Sequence, residues 1–312
     1  IKNRFLALIF PSLLMGILPV PAGAMLSAPL VEESGNKIGL TPEVKTFLNY
    51  WFRHIFEFMW PIYPGIILAS TILNIPVYTF ILALSPIAIV AVLTGIGFGL
   101  KKVSFPKREK SFKGNTLKGI LAFFLNAWPI LAIVILVLII KLDIVISLFI
   151  IALACLFTTK PDKRDFFSIL KESLSAKTIT LIVAVMIFKQ MLENSGLLPL
   201  IPQVFRYLRI PEILTLFAIP FFTGITSGLA MVVAGVSFPI LLPLMGNPLK
   251  LTYVMLAYTA GIAGYLLSPI HLCLVTTLHY FKADTKKVYR LVLLPVVLLI
   301  LSALIIVFLN PG

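Results

Sequence analysis

Residues 60–65 read Trp60-Pro61-Ile62-Tyr63-Pro64-Gly65, and residues 268–271 read Ser268-Pro269-Ile270-His271. Each stretch interrupts a long apolar run, 43–74 in the first case and 251–281 in the second. A proline removes a backbone hydrogen bond and clashes with the preceding turn, so both runs are expected to break as helices there. Outward from the breaks the pattern repeats. Ser27-Ala28-Pro29-Leu30 and Ser237-Phe238-Pro239-Ile240 stand 210 residues apart. Each lies in an interrupted apolar run: 5–31, broken by Pro19, Pro21 and Gly23, and 212–245, broken by Pro220, Gly224, Thr226-Ser227-Gly228 and Gly235. Beyond each proline break comes a plain apolar run holding one proline, 76–100 with Pro86 and 289–309 with Pro295.

Composition sets the class. Of 312 residues, 60% are hydrophobic and 12% charged, and the mean hydropathy is +1.06. Soluble domains are nearer ~45–50% apolar and ~25% charged. A soluble enzyme, a disordered chain and a nucleic-acid binder are therefore excluded. The expectation is an all-α polytopic membrane protein lying in the cell (cytoplasmic) membrane, because a helix crosses the hydrocarbon core with ~20 apolar residues. The net charge of +14 sits in loops, so it is read as topology rather than as a nucleic-acid surface. Segment 101–118 carries seven basic residues, 159–177 five and 282–290 four. The positive-inside rule places these on the cytoplasmic side. Residues 32–45 should lie there too, although Glu32, Glu33 and Glu43 make that segment acidic. Cys155 and Cys273 both fall in apolar runs, and no zinc spacing, haem motif or other metal-ligand cluster is visible in the sequence.

The runs 5–31 and 212–245 are too interrupted to be simple spans and too apolar to be loops. Both are read as re-entrant hairpins that enter and leave the membrane on one side. Residues 1–100 then form a first repeat: hairpin 5–31, broken helix 43–74, span 76–100. Residues 101–211 form a basic cytoplasmic loop followed by scaffold helices at 117–140, 144–158 and 178–198. Residues 212–312 form a second repeat: hairpin 212–245, broken helix 251–281, span 289–309. Three crossings separate the units, so the second is inverted, an arrangement common in secondary transporters. Unwound backbone in a membrane persists only where it is buried or lines a wet cavity. Helix N-termini at such breaks suit an anion, and freed carbonyls with Ser/Thr hydroxyls suit Na⁺.

Three stretches carry a resemblance. The run Leu18-Pro19-Val20-Pro21-Ala22-Gly23-Ala24-Met25-Leu26-Ser27-Ala28-Pro29, the run Trp60-Pro61-Ile62-Tyr63-Pro64-Gly65, and the run Gly264-Tyr265-Leu266-Leu267-Ser268-Pro269-Ile270-His271-Leu272-Cys273 resemble a prokaryotic membrane family, domain of unknown function 401. That family looks like a branch of the ion-transporter superfamily of gluconate, citrate and dicarboxylate carriers. The resemblance covers essentially the whole chain. It implies two inverted repeats, a midplane site, a homodimer, and an upstream portion of roughly a hundred residues by repeat symmetry. The Ser-Asn-Thr hairpin signature of the better-known carriers is replaced by Thr226-Ser227-Gly228, and the choice between H⁺ and Na⁺ as coupling ion stays open.

The expected function is secondary active transport of a small organic anion, coupled to H⁺ or Na⁺, by alternating access around the hairpin tips. Rival readings are an ion channel or passive pore, and a structural membrane subunit. An enzyme is not expected, since neither a Gly-x-Ser-x-Gly run nor a Walker motif is present. No cofactor is expected beyond Na⁺, and no partner beyond substrate, coupling ion, lipid bilayer and a second copy. The candidate substrate- and ion-binding residues are Pro21, Gly23, Ser27, Thr223, Thr226, Ser227, Gly228, Ser237, Ser268 and His271. Against each hydroxyl stands the reading that it bonds a nearby carbonyl. Against His271 stands a neutral imidazole bonded within the bundle. Arg53, His54 and Glu57 form a similar polar set before Trp60, where an Arg could grip a carboxylate or anchor the chain at the interface. Tyr50, Trp51 and Trp60 suggest an aromatic belt.

Overall fold

A computed structural model describes residues 2–18, 23–102, 127–173, 176–196 and 200–310. Among these residues every regular element is helical. The N-terminal part holds α1 (Lys2–Ile17), α2 (Ala24–Asn36), α3 (Pro42–His54), α4 (Pro64–Leu73) and α5 (Val77–Lys102). The middle holds α6 (Trp128–Val134, continued by one wide turn Ile135–Ile139), α7 (Ile144–Thr159), α8 (Lys163–Ser173), α9 (Ala176–Asn194) and α10 (Leu200–Tyr207). The C-terminal part holds α11 (Glu212–Ser227), α12 (Ala230–Leu244), α13 (Leu251–Leu266), α14 (Leu272–Phe281) and α15 (Thr285–Leu309).

Local chemistry sets the boundaries. The Thr41 hydroxyl accepts from the Val44 amide and Pro42 occupies the first turn of α3, a favourable start because that proline's missing N–H would have no helical partner. Asp143 and Asp284 cap α7 and α15 in the same way. The two expected breaks are present. After α3 a tight turn, Ile55–Phe58, leads to Trp60-Pro61 before α4. After α13 the chain passes through Ser268-Pro269 before α14. The second hairpin turns at Gly228, left-handed at φ 63°, where a residue without Cβ carries no strain. Pro220 and Gly235 do not break it: Pro220 lies inside α11 and Gly235 inside a wide turn, Val233–Ser237, within α12. Wide turns absorb such local mismatches without ending a helix. Pro86 and Pro295 likewise sit inside α5 and α15. In the first hairpin Gly23 precedes α2, while Pro19 and Pro21 lie outside the described residues, as does most of the basic segment 101–118.

Two stretches read as connections are helical. α8 occupies most of 159–177, and α10 lies between α9 and α11. In α8 acidic and basic residues alternate with Phe166-Phe167 and Ile169-Leu170, so one face is polar and the other apolar. Basic content alone hid that amphipathic pattern.

α2 packs against α1 and α14, and α12 packs against α11 and α4. α5 touches α13 and α15, while α15 touches α3 and α5. The tightest contact joins α11 to α13. A side chain at Gly224 would strike the Gly261 carbonyl and the Tyr265 amide.

Two described helices are long and apolar enough to cross a membrane, Val77–Gly99 and Thr285–Leu309; the other apolar helices run 10–17 residues. Large apolar side chains lie on the surface, and a small polar set is buried inside a mostly apolar core. Leu82, Leu93, Phe149, Phe157 and Phe222 are exposed, whereas Asn49, Arg53, His54, Glu57, Ser268 and His271 are buried.

Candidate functional site

The two proline breaks face each other. α3 carries Tyr50, Arg53 and His54 toward its C-terminal end, and the turn that follows carries Glu57. α13 brings Tyr265, and the second break brings Ser268 and His271 just ahead of Cys273 on α14. The Tyr50 hydroxyl donates to the Leu266 carbonyl at 2.9 Å. The Tyr265 hydroxyl donates to Glu57 Oε1 at 3.2 Å. His54 Nε2 and His271 Nε2 lie 3.1 Å apart. Arg53 places a guanidinium nitrogen 3.3 Å from His54 Nε2.

The hydrogen positions on His54 follow from its partners. Nδ1 is 2.6 Å from the Tyr50 carbonyl, which can only accept. In the neutral ring Nδ1 therefore carries the hydrogen and Nε2 presents its lone pair to His271 and Arg53. Aromatic rings wall the pair. Tyr265 meets the His271 ring edge-on at 4.1 Å between centroids, and Tyr50 lies 4.5 Å from His54. His54, His271 and Cys273 are all buried, with their possible ligand atoms within 4.8 Å of one another. Two buried atoms beside the first break, Glu57 Oε2 and Trp60 Nε1, have no hydrogen-bond partner among the described residues.

Each break also reaches back to its own hairpin. The Tyr63 hydroxyl donates to the Gly16 carbonyl at 2.7 Å. The Ser268 hydroxyl donates to the Ile225 carbonyl at 2.7 Å. Gly228 lies against this second contact: a side chain there would approach the His271 backbone and Ser268 Oγ to 3.2 Å.

The candidate residues thus separate. Gly228, Ser268 and His271 come together at the second break. Thr223, Thr226 and Ser227 bond the carbonyls of Ile219, Phe222 and Thr223, one turn back on α11, and do not converge on His271. Ser27 belongs to a different polar knot. Ser12 and Ser27 both donate to Asn49 Oδ1, at 3.0 and 2.6 Å, and Asn49 Nδ2 donates to the Ala24 carbonyl at 2.8 Å. The knot ties α1, α2 and α3 and includes the residue after Gly23. The Ser237 hydroxyl is buried and has no partner among the described residues. Pro21 lies outside the described residues.

The aromatic belt and the interfacial anchor are corrected. Tyr50 and Trp51 are fully buried, and Trp51 Nε1 donates to the Ala91 carbonyl at 2.9 Å. Arg53 is 3% exposed and so anchors nothing at an interface. Arg53, His54 and Glu57 are the members that sequence reasoning left out of the site. The available signal was their place directly before Trp60-Pro61, facing the break that carries His271. Nor does the sequence show the His54–His271–Cys273 cluster as ligand spacing, because two distant helices build it.

The profile of the family described as protein of unknown function (DUF401) matches residues 2–309, and the chain belongs to that family. No curated protein matches the chain at a significant level.

Proposed function

We propose that this member of the family is a polytopic carrier of the cell membrane, built from two inverted repeats. It would move a small organic anion, coupled to H⁺ or Na⁺, past the point where its two broken helices meet. One observation carries the reading: Arg53, His54 and Glu57 are buried against Tyr265 and His271 at facing helix breaks, inside a bundle whose exterior is apolar. Ionisable groups in that setting are expensive to keep and mark transport pathways by default. Arg53 supplies a fixed positive charge suited to a carboxylate.

The packing supports a repeat. Gly16 would strike the Arg53 carbonyl if it gained a side chain, and Gly224 would strike that of Gly261. Both members of the second pair stand 208 residues after those of the first. Break-to-hairpin hydrogen bonds recur as well, from Tyr63 and from Ser268. Helix lengths are consistent. At ~1.5 Å per residue, the 13 residues of α3 and 10 of α4 together reach ~35 Å. That is enough to cross a hydrocarbon core of ~30 Å with a break at mid-depth.

The test is uptake by proteoliposomes. A panel of mono-, di- and tricarboxylates should include one accumulated only under an imposed H⁺ or Na⁺ gradient. Arg53→Gln should raise its half-saturating concentration about 10–100-fold, the worth of a charge-assisted hydrogen bond. Flux that ignores both gradients would point to a pore, and no flux of any anion would sink the proposal.

A further inference from the structure

The two imidazoles at the facing breaks lie beside a thiol that the anion-carrier reading does not use, Cys273, and the three make a ligand set. We infer that His54, His271 and Cys273 form a binding site for a single soft monovalent metal ion, copper(I). This inference does not depend on the transport reading.

The ligand atoms are already gathered, and binding asks for two local changes: the Arg53 nitrogen must turn away from His54 Nε2, and His271 must carry its hydrogen on Nδ1 instead of Nε2. His54 Nε2 and His271 Nε2 lie 3.1 Å apart. Two nitrogens each ~2.0 Å from one three-coordinate ion stand about 3.5 Å apart at a trigonal angle, so the rings would part by roughly 0.4 Å. All three ligand atoms fall within 4.8 Å of one another. His54 is already oriented as metal-binding histidines usually are. Its Nδ1 donates to the Tyr50 carbonyl at 2.6 Å, which fixes the tautomer and turns the Nε2 lone pair inward. Tyr50 is itself held by the Leu266 carbonyl at 2.9 Å. The rings of Tyr50 and Tyr265 close the site on two sides.

Ligand type and charge choose the ion. A thiolate with two imidazoles is a soft, nitrogen–sulfur set, which favours copper and zinc and excludes magnesium and calcium. The Arg53 guanidinium, 3.3 Å from His54 Nε2, decides between the first two. Copper(I) with the Cys273 thiolate forms a neutral unit, leaving Arg53 to be balanced by Glu57, four residues on. Zinc(II) would leave an uncompensated charge beside a buried arginine, an arrangement that is heavily disfavoured away from water. Three ligands also suit copper(I), whereas structural zinc takes four.

The experiment uses the full chain purified in detergent under reducing, oxygen-free conditions. Copper(I) is titrated against a chromophoric chelator, with zinc(II) as a separate arm. The expected result is one copper(I) per chain, with X-ray absorption reporting one sulfur and two imidazole neighbours. His54→Gln and Cys273→Ser should each weaken binding by more than about 100-fold, beyond the loss of an outer partner. Cys155→Ser, which removes the chain's other thiol, should leave binding unchanged. Size-exclusion profiles identify any variant that has misfolded, and His271→Gln then replaces it. No copper(I) binding, binding that survives both variants, or zinc(II) bound at least as tightly would each overturn the inference.

Discussion

At Gly224 a single added carbon meets backbone on the neighbouring helix, at the Gly261 carbonyl and the Tyr265 amide. Backbone cannot swing aside as a flexible side chain can. Gly224→Ala should therefore destabilise the detergent-solubilised protein by about 1–3 kcal/mol or more, as overpacking does. Gly97, inside α5, has open space where its side chain would go. Gly97→Ala should be neutral or gain up to about 1 kcal/mol, since alanine loses less chain entropy in a helix. Melting curves of the two variants side by side check the contrast, and equal effects would mean that the α11–α13 contact is looser than described. Asn49 offers a second test at this scale. It accepts from Ser12 and Ser27 and donates to the Ala24 carbonyl. A buried polar group left unpaired costs about 1–3 kcal/mol. Asn49→Leu takes the Asn49 acceptor from the buried Ser12 hydroxyl and leaves Ser27 and the Ala24 carbonyl only their longer 3.3 Å bond to each other. It should lower the melting temperature well below that of Thr226→Val, whose hydroxyl is exposed and bonds only its own helix.

The elements at one end of the bundle are joined by charge. Lys287 at the start of α15 reaches Glu43 in the first turn of α3 at 3.8 Å. Lys45 lies near Glu32 and bonds Asn36, and Tyr280 donates to Glu32. The Glu43 carboxyl titrates below its usual value of 4.5, chiefly because its own backbone amide bonds it, with Thr41 and Lys287 adding to the shift. A depressed folded value means that this group contributes stability above about pH 4.5 and loses it as pH falls through the lower folded value. The melting temperature should thus fall on acidification below about pH 4.5, and Glu43→Gln should flatten part of that acid limb. An unchanged acid limb in the variant would assign the effect to other carboxylates, such as Glu33 beside Lys37. Elements of this kind were readable in the sequence wherever a proline or a glycine dictated them: the breaks at Pro61 and Pro269, and the turn at Gly228. What escaped was everything set between elements. Arg53 looks like a surface residue beside Trp51 and Tyr50 until α13 and α14 cover it. The hydroxyls of Thr223 and Ser227 look like ligands until α11 supplies each with a carbonyl one turn back. The cluster of His54 with His271 joins positions 217 residues apart, beyond the reach of any spacing argument.

For the whole molecule, the all-helical class and the two proline breaks were legible from hydropathy and proline placement, because both are one-dimensional patterns. The orientation of the proposed repeats is not such a pattern, since it rests on counting crossings, and one miscounted helix inverts everything after it. Residues 37–41, between α2 and α3, correspond in the proposed repeat to residues 246–250, between α12 and α13. If the repeats are inverted, those two connections lie on opposite faces of the membrane. Lys37 is exposed, and Gly246 turns the second connection in the left-handed region at φ 89°. With Cys155→Ser as background, Lys37→Cys and Lys250→Cys report on the two faces, since Cys273 is buried and the background alone, treated in parallel, gives the blank. In intact cells a membrane-impermeant maleimide should label Lys250→Cys and spare Lys37→Cys. In inverted vesicles the pattern should reverse, as the basic segments 159–177 and 282–290 demand of the cytoplasmic side. Labelling of both positions from one face would leave the two repeats parallel. The facing breaks would then share a direction across the membrane, and exchange between mirror-related inward and outward states would lose its structural basis.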